Sequence, residues 1–335
     1  MPGMDIVVLG GTGFLSRQVV TEALRRGHTV AALTRGARGT PPEGAKDLRA
    51  DRDSAESLAA ALQGLHPDAV IDCSGYTVEG AQNTAGCLAG ARSYVYVSSL
   101  NAYRSWPPGP IHGEDEPLWA EGEGTRSDYG PTKAASERIL SAALGDRLLT
   151  VRAGLIIGPG DDTGRMTSWL QRIAAGGAVI VPDCLNQPMA FVDVRDLAAW
   201  LVSALEHRWS GPVNATGPVG MTTFGQLLEA CRAVVAESGA PPAQLLVVDE
   251  QQLLAAGVRP WRELPFWLPR QTAATAWQVD TSRARELDLP SRPIRDTLTS
   301  TWQWMRQTGL VLPAAGDGGP GIPDELQERI TSAPG

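Results

Sequence analysis

Lysine is nearly absent from this chain. Of its 29 basic residues only Lys46 and Lys133 are lysine; the others are arginine. Cysteine is scarce as well. Cys73, Cys87, Cys184 and Cys231 are scattered, with no C-x-x-C pair, so metal-site spacing and a disulfide framework are both missing. Four such residues suit reduced, mostly buried thiols in a cytoplasmic protein. No apolar run reaches the about 20 residues that a membrane helix needs. The opening "MPGMDIVVLGG" has neither the basic region nor the cleavage signature of a signal peptide. Positive charge is in deficit, with a net charge of −8, which argues against a general affinity for nucleic acid. What remains, 335 residues with 43% hydrophobic and 20% charged, is ordinary for a globular protein of one large domain or two smaller ones.

Short runs of Val, Ile and Leu alternate with helical patterns through the first half. "DIVVLGG", "HTVAALTRG", "DAVIDCSG", "SYVYVSS" and "RLLTVRAGLIIG" read as strands. "LSRQVVTEALRRG", "SAESLAAALQGL" and "DYGPTKAASERILSAALG" read as helices, and "GAQNTAGCLAGA" fits the same pattern. This alternation predicts a parallel sheet with crossover helices, its strands covered on both faces. The second half is more helical. "VRPWRELPFWLP" is dense in Trp and Pro and is placed on a surface loop or short turns. The Gly/Pro-rich segment 313–335 reads as a flexible tail with one short helical candidate near its end.

Two motifs carry chemistry. In "VVLGGTGFLSRQVV", Gly10, Gly11 and Gly13 stand between the first strand and the first helix, where glycine permits a tight turn and close approach of a pyrophosphate to the helix N-terminus. Gly10 through Leu15, including Thr12 and Phe14, form the expected cradle. Ser16 replaces the third glycine of the usual pattern. At the end of the second strand, dinucleotide sites for NAD carry an acid. Here the sequence is "LTRG", with Arg35 and then Arg38, and a cation there suits the 2′-phosphate of NADP. Asp51 is a candidate acceptor for the adenine amine, or else part of a helix N-cap region.

The second motif is "SDYGPTK". Tyr129 and Lys133 are four residues apart and share one helix face. Asp128 or Ser127 can cap that helix, and Pro131 is tolerated in its first turn. Tyrosine has a reference pKa near 10, and a cation within about 4–6 Å lowers it toward use at neutral pH. A compact ammonium does this while also donating to ribose hydroxyls, which a planar guanidinium does not match. That gives a reason for lysine where the chain otherwise uses arginine.

With "GGTGFLS", "YVYVSSLNAY", "YGPTK", "RAGLIIGPG" and "FVDVRDLA" in this order, the chain resembles the extended short-chain dehydrogenase/reductases, the group that includes NAD-dependent epimerases and dehydratases. The resemblance spans about residues 4–215 and is weaker beyond. It implies an α/β, Rossmann-like doubly wound parallel sheet with a smaller, mixed C-terminal substrate domain. The implied boundaries are 1–160, completed by about 188–216, for dinucleotide binding, and 161–187 with 217–312 for substrate. It implies Ser99, Tyr129 and Lys133 as the catalytic set, with Ser98 the alternative if the register slips by one. It implies that Cys73, Ser74 and Gly75 line the cofactor, that Ala153, Gly154, Leu155 and Ile156 contact the nicotinamide, and that a homodimer as well as a monomer is to be expected.

Three departures from the family pattern narrow the expectation. Leu100 and Asn101 stand where dehydratases carry an Asp-Glu pair. Leu155 replaces an Asn of nucleotide-sugar epimerases, and Met189 replaces an Arg that clamps a diphosphate. Trp106, Trp119, Trp169, Trp261, Phe266, Trp267 and Trp277 offer material for an aromatic pocket. The expectation is an NADP(H)-dependent oxidoreductase, with NAD as the alternative cofactor, acting on a ketone, imine or alcohol of a small non-nucleotide metabolite, with no metal, nucleic-acid or membrane partner. The alternatives are an epimerase with tightly held cofactor, and a non-catalytic NADP-binding or RNA-binding member of the superfamily.

Overall fold

The computed structural model describes residues 3–124, 128–241, 243–313, 315 and 320–332. Its contacts divide the chain into two units. Unit 1 comprises Met1–Ile156, Phe191–Pro218 and Gln278–Ser291; unit 2 comprises Ile157–Ala190, Val219–Trp277 and Arg292–Gly335. In chain order, unit 1 begins β1 (Asp5–Leu9), α1 (Phe14–Arg25), β2 (Thr29–Thr34), β3 (Lys46–Arg49), α2 (Ala55–Leu62), β4 (Ala69–Asp72), α3 (Val78–Leu88), β5 (Ser93–Ser99), α4 (Tyr129–Leu144) and β6 (Leu148–Ala153). Unit 2 contributes α5 (Arg165–Ala175) and β7 (Gly177–Pro182). The chain returns to unit 1 for α6 (Val194–His207) and β8 (Gly211–Ala215). Then come α7 (Phe224–Ala236), β9 (Ala243–Val248), α8 (Glu250–Ala255) and α9 (Arg270–Ala276) of unit 2, α10 (Ser282–Glu286) of unit 1, and α11 (Ile294–Thr308) and α12 (Asp324–Ser332) of unit 2.

In unit 1 seven strands form one parallel sheet in the order β8-β6-β5-β4-β1-β2-β3. The order reverses beside β1, which opens a crevice at the carboxyl ends of β1 and β4, where α/β sheets of this kind bind ligands. Both faces are covered. Val19, Val20, Leu197, Leu201 and Leu205 of α1 and α6 close one side, and Leu58, Leu62, Ala85, Leu88 and Leu140 of α2, α3 and α4 close the other. All seven residues of β5 are buried, as the continuous apolar run predicts for a central parallel strand. The segment Gln278–Ser291, grouped by sequence with the second domain, folds with unit 1. Ala284 and Leu289 are buried in its core, and Arg285 donates to the Thr216 carbonyl.

Unit 2 is built around the Trp-rich segment expected on the surface. Trp169, Phe266 and Trp267 are fully buried, Trp169 meets Phe224 edge to face at 5.5 Å, and Trp261 meets Phe266 in the same way at 6.0 Å. Each such ring removes 150–250 Å² from water, which outweighs the left-handed backbone at Trp261 and Phe266, with φ of 70° and 71°. β7 and β9 pair in parallel beside this core. The tail also departs from its composition. Ile322, Leu326 and Ile330 are buried, and just ahead of the tail Leu312 exchanges two hydrogen bonds with the Gln171 side chain. Positions 314, 316–319 and 333–335 of the expected flexible extension lie outside the described residues. Among the described residues no helix is long and apolar enough to cross a membrane, and no cluster of His, Cys, Asp or Glu has metal-site geometry.

Candidate active site

The crevice beside β1 holds a groove of about 430 Å³, lined by Gly10, Thr12, Gly13, Arg35, Asp51, Cys73 and Ser74, with Thr34, Arg38, Arg52, Asp53, Tyr76 and Thr77. Gly10 and Gly11 have φ of 108° and 124°, and a Cβ at Gly11 would lie 2.7 Å from that of Ala32. Gly13 is the N-cap of α1. A Cβ there would meet only the Ser16 hydroxyl, at 3.5 Å, so the space above the helix N-terminus is open. The first-turn amides of α1 thus face a cradle that accepts an anion. Of the remaining cradle residues, Leu15 is buried in the core and Phe14 packs against it. Ser16 fills the place of a third glycine by accepting from the Gly13 amide at 3.1 Å.

The far end of the groove is cationic. Arg35 is exposed and, among the described residues, makes no ion pair or hydrogen bond, while Thr34 fixes the turn by accepting from the Gly36 amide at 3.1 Å. The guanidinium of Arg49 lies so close under Gly36 that a side chain there would overlap it. No carboxylate stands at the end of β2. Asp51 lines the groove and accepts from the Asp53 amide at 3.0 Å. Arg52 turns inward and forms a buried, two-pronged pair with Asp72 at 2.7 and 2.8 Å. It also donates to Ser74 at 3.1 Å, which pins the loop after β4. Burial raises the Cys73 thiol far above its ordinary value, so Cys73 is an inert wall of the groove. Gly75 is backed by the Tyr96 ring, 2.4 Å from where its Cβ would be.

At the other end stand the residues of the Tyr–Lys helix. The Asp128 carbonyl starts α4 by accepting from the Thr132 amide at 3.0 Å; Ser127 lies outside the described residues. Gly130 touches the turn Leu100–Ala102 so closely that a Cβ would lie 2.3 Å from the Asn101 carbonyl oxygen. That contact brings Tyr129, the first residue of α4, to the turn that begins at Ser99. Lys133 is buried and donates to the Val97 carbonyl at 2.9 Å. Three tyrosine rings, Tyr96, Tyr76 and Tyr129, have centroids 5.0, 5.1 and 5.7 Å from its ammonium. Burial lowers its pKa to about 8.

The two serines at the end of β5 divide. Ser98 donates to Glu137, which is paired with Arg152 at 2.9 Å; Arg152 donates to Tyr103 at 2.8 Å, and Tyr103 to Asn214 at 2.7 Å. Ser98 is thereby committed to a buried structural network. The Ser99 hydroxyl instead accepts from the backbone and side-chain amides of Asn101, both at 3.2 Å. With both lone pairs occupied, its own proton is left to be donated. Asn101 thus holds Ser99, a role that sequence reasoning missed by treating it only as a missing acid. Ala153 pairs in register with Ser99, and the Gly154 amide donates to Ala215 at 3.0 Å, so 153–156 continue the same edge. Leu155 is half-buried and contributes its carbonyl to Val192. Met189, in unit 2, is fully buried.

The model of the NAD dependent epimerase/dehydratase family matches residues 77–216, and an NAD(P)H-binding model matches residues 10–143. The chain is 31% identical to a 3 beta-hydroxysteroid dehydrogenase/Delta 5-->4-isomerase of Mycobacterium tuberculosis, over 68% of this chain and 69% of that one. It is 26% identical to the dTDP-6-deoxy-L-talose 4-dehydrogenase (NAD(P)(+)) of Kitasatospora kifunensis, over 81% and 92%. The crystal structure of the Bordetella bronchiseptica enzyme WbmH in complex with NAD+ superposes with a TM-score of 0.71 at 18% identity, covering 92% of this chain and 99% of that one. The chain belongs to the NAD-dependent epimerase/dehydratase family, the extended short-chain dehydrogenase/reductases, and it is an enzyme of the NAD(P)-dependent oxidoreductases and epimerases that make up that family.

Proposed function

We propose that the protein is an NADP(H)-dependent oxidoreductase that interconverts a secondary alcohol and a ketone, or the corresponding imine, on a small non-nucleotide metabolite. The observation that carries this reading is a groove end with Arg35, not an acid, directly after β2, together with a Ser99 held by Asn101 and a Lys133 held by the Val97 carbonyl. NADP fits the chain's own residues. The open cradle at Gly13 suits the pyrophosphate, Arg35 suits the 2′-phosphate, and Asp51 suits the adenine amine. Lys133 spends one N–H on Val97 and keeps two for the ribose hydroxyls. The bound nicotinamide would supply or take the hydride, which no side chain can do. Ser99 donates to the substrate oxygen. Tyr129 passes the proton to or from that oxygen, and Lys133 steadies the charge on its phenol.

Among relatives named for a reaction, the steroid dehydrogenase and the talose 4-dehydrogenase are both named as dehydrogenases, which supports net redox turnover over cofactor-neutral epimerisation. A substrate without a diphosphate is supported by the sequence departures at Met189 and Leu155, since neither side chain offers the donors of the arginine and asparagine that the family pattern has there. A second reading, oxidation or reduction of a dTDP-sugar, is favoured by the talose dehydrogenase match over most of both chains. Titration of NADPH and NADH into wild-type and Arg35→Ala protein tests the cofactor. Loss of the arginine should weaken NADPH by roughly 10- to 150-fold, the worth of a charge-assisted contact, and leave NADH unchanged. Equal wild-type affinity for the two refutes it. A thermal-shift screen of the NADP-bound protein with UDP- and dTDP-sugars tests the substrate class: stabilisation at micromolar sugar, with matching NADPH turnover, replaces the first reading by the second.

A further inference from the structure

Tyr76 is an aromatic side chain with no place in the reaction described above. It is 64% exposed, more than any other aromatic among the described large hydrophobics. The backbone beneath it is nonetheless fixed. Its amide donates to the Ser74 carbonyl at 2.9 Å, the Ser74 amide donates to Asp72 at 3.0 Å, and Arg52 grips both Asp72 and Ser74. Tyr96 donates to the Gly75 carbonyl at 3.3 Å and leaves no room for a side chain at Gly75. Thr77 then caps α3 by accepting from the Gly80 amide at 3.2 Å. A large ring on a pinned platform, left in water, is a surface made to meet something.

Its position says what. Tyr76 lines the groove on one side. On the other, its centroid is 5.1 Å from the Lys133 ammonium, and its ring is 6.5 Å from that of Tyr129 at an interplanar angle of 32°. Lys133 and Tyr129 themselves are outside the groove lining. A molecule that begins at Gly13 and Arg35 and ends at Lys133 must therefore pass Tyr76.

We propose that Tyr76 is a binding residue for the nicotinamide half of the cofactor, its ring forming the outer wall against which the ribose and nicotinamide lie. This rests on the dinucleotide reading of the groove. The ring face, more than the hydroxyl, does the holding, because flat heterocycles and sugar C–H faces pack on aromatic faces. Tyr76 also covers Lys133, its ring centroid 5.1 Å from the ammonium.

Isothermal titration of wild type, Tyr76→Phe and Tyr76→Ala, each with NADPH and with 2′,5′-ADP, separates the halves of the ligand. Tyr76→Ala should weaken NADPH by about 5- to 150-fold, the range of aromatic stacking on a base. It should leave 2′,5′-ADP unchanged, and Tyr76→Phe should behave as wild type with both. Unchanged NADPH affinity in Tyr76→Ala overturns the proposal, as does an equal loss for 2′,5′-ADP, which would make the ring a prop for the whole groove. If wild type binds 5′-ADP as well as 2′,5′-ADP, the NADP preference fails separately, and the Tyr76 comparison is then read from NADH against 5′-ADP.

Discussion

At the scale of single residues, the site is a problem in where protons sit. Lys133 is buried, held by one carbonyl and three tyrosine rings, and burial lowers its pKa to about 8. Below pH 8 it is an ammonium, and the proposed function gives two of its donors to the ribose; above, it is a neutral amine and that proposed charge-assisted hold would be lost. NADPH affinity should therefore be level from pH 6.5 to 7.5 and weaken between pH 8 and 9.5, whereas Lys133→Met should bind weakly with no such step; titrations across this range check it. Stability has the opposite sign. The unfolded lysine keeps its proton to about 10.5, so the folded protein binds fewer protons between about 8 and 10.5. The cost of the buried ammonium, present in full below pH 8, is relieved as the pH rises through that window. Tyr129 is tested more simply. Tyr129→Phe should retain fold and cofactor binding and lose about 10²–10⁴-fold in turnover; near-normal turnover would make the helix pair structural.

At the scale of elements, the Tyr–Lys helix is tied to the sheet at two positions one turn apart, by Lys133 donating to the Val97 carbonyl and by Glu137 accepting from Ser98 and pairing with Arg152. The second position belongs to a network in which Glu137, Arg152, Tyr103 and Asn214 are all buried. Glu137→Gln leaves the Arg152 charge without its carboxylate and should cost about 3–5 kcal/mol. Ser98→Ala removes one donor and should cost about 1–3 kcal/mol. Chemical denaturation of both variants checks the ranking, and a turnover loss in Ser98→Ala as large as in Ser99→Ala would reverse the assignment of the two serines. The sequence made the paired motif legible because four-residue spacing is a local property. It left Ser98 and Ser99 open, because which hydroxyl faces the network depends on Glu137 and Arg152, 39 and 54 positions further along the chain. β8 escaped for a different reason. "GPVNA" carries Gly and Pro, which argue against a strand, and is accepted here because β8 lies at the edge of the sheet. The run "PWRELPFWLP" was misleading in the other direction: proline excluded helix correctly, but absence of regular structure did not mean exposure.

At the scale of the whole molecule, composition failed most clearly in the last twenty residues. Glycine and proline there point to a chain that cannot form a core, yet three apolar residues at spacing four, Ile322, Leu326 and Ile330, are buried, the last two on α12. That spacing puts Leu326 and Ile330 on one face of α12, and the rest of unit 2 supplies the other side, with Gln252 donating to the Ile330 carbonyl at 3.2 Å. Long-range burial decides the matter, and a tail read in isolation contains no information about the surface that receives it. The consequence is measurable. Deleting residues 320–335 removes three buried aliphatic side chains, each worth about 1.5–3 kcal/mol when fully buried, and uncovers the apolar surface beneath them. For a protein of this size a loss of about 3 kcal/mol or more should lower the thermal midpoint by about 4 °C or more. Ile330→Asp in the full-length chain should give a comparable drop, since it places a charge at a position 2% exposed. NADPH binding, which the proposed function assigns to the groove of unit 1, should survive both changes at temperatures below the transition. A truncated protein with an unchanged midpoint would restore the reading of the tail as a flexible extension.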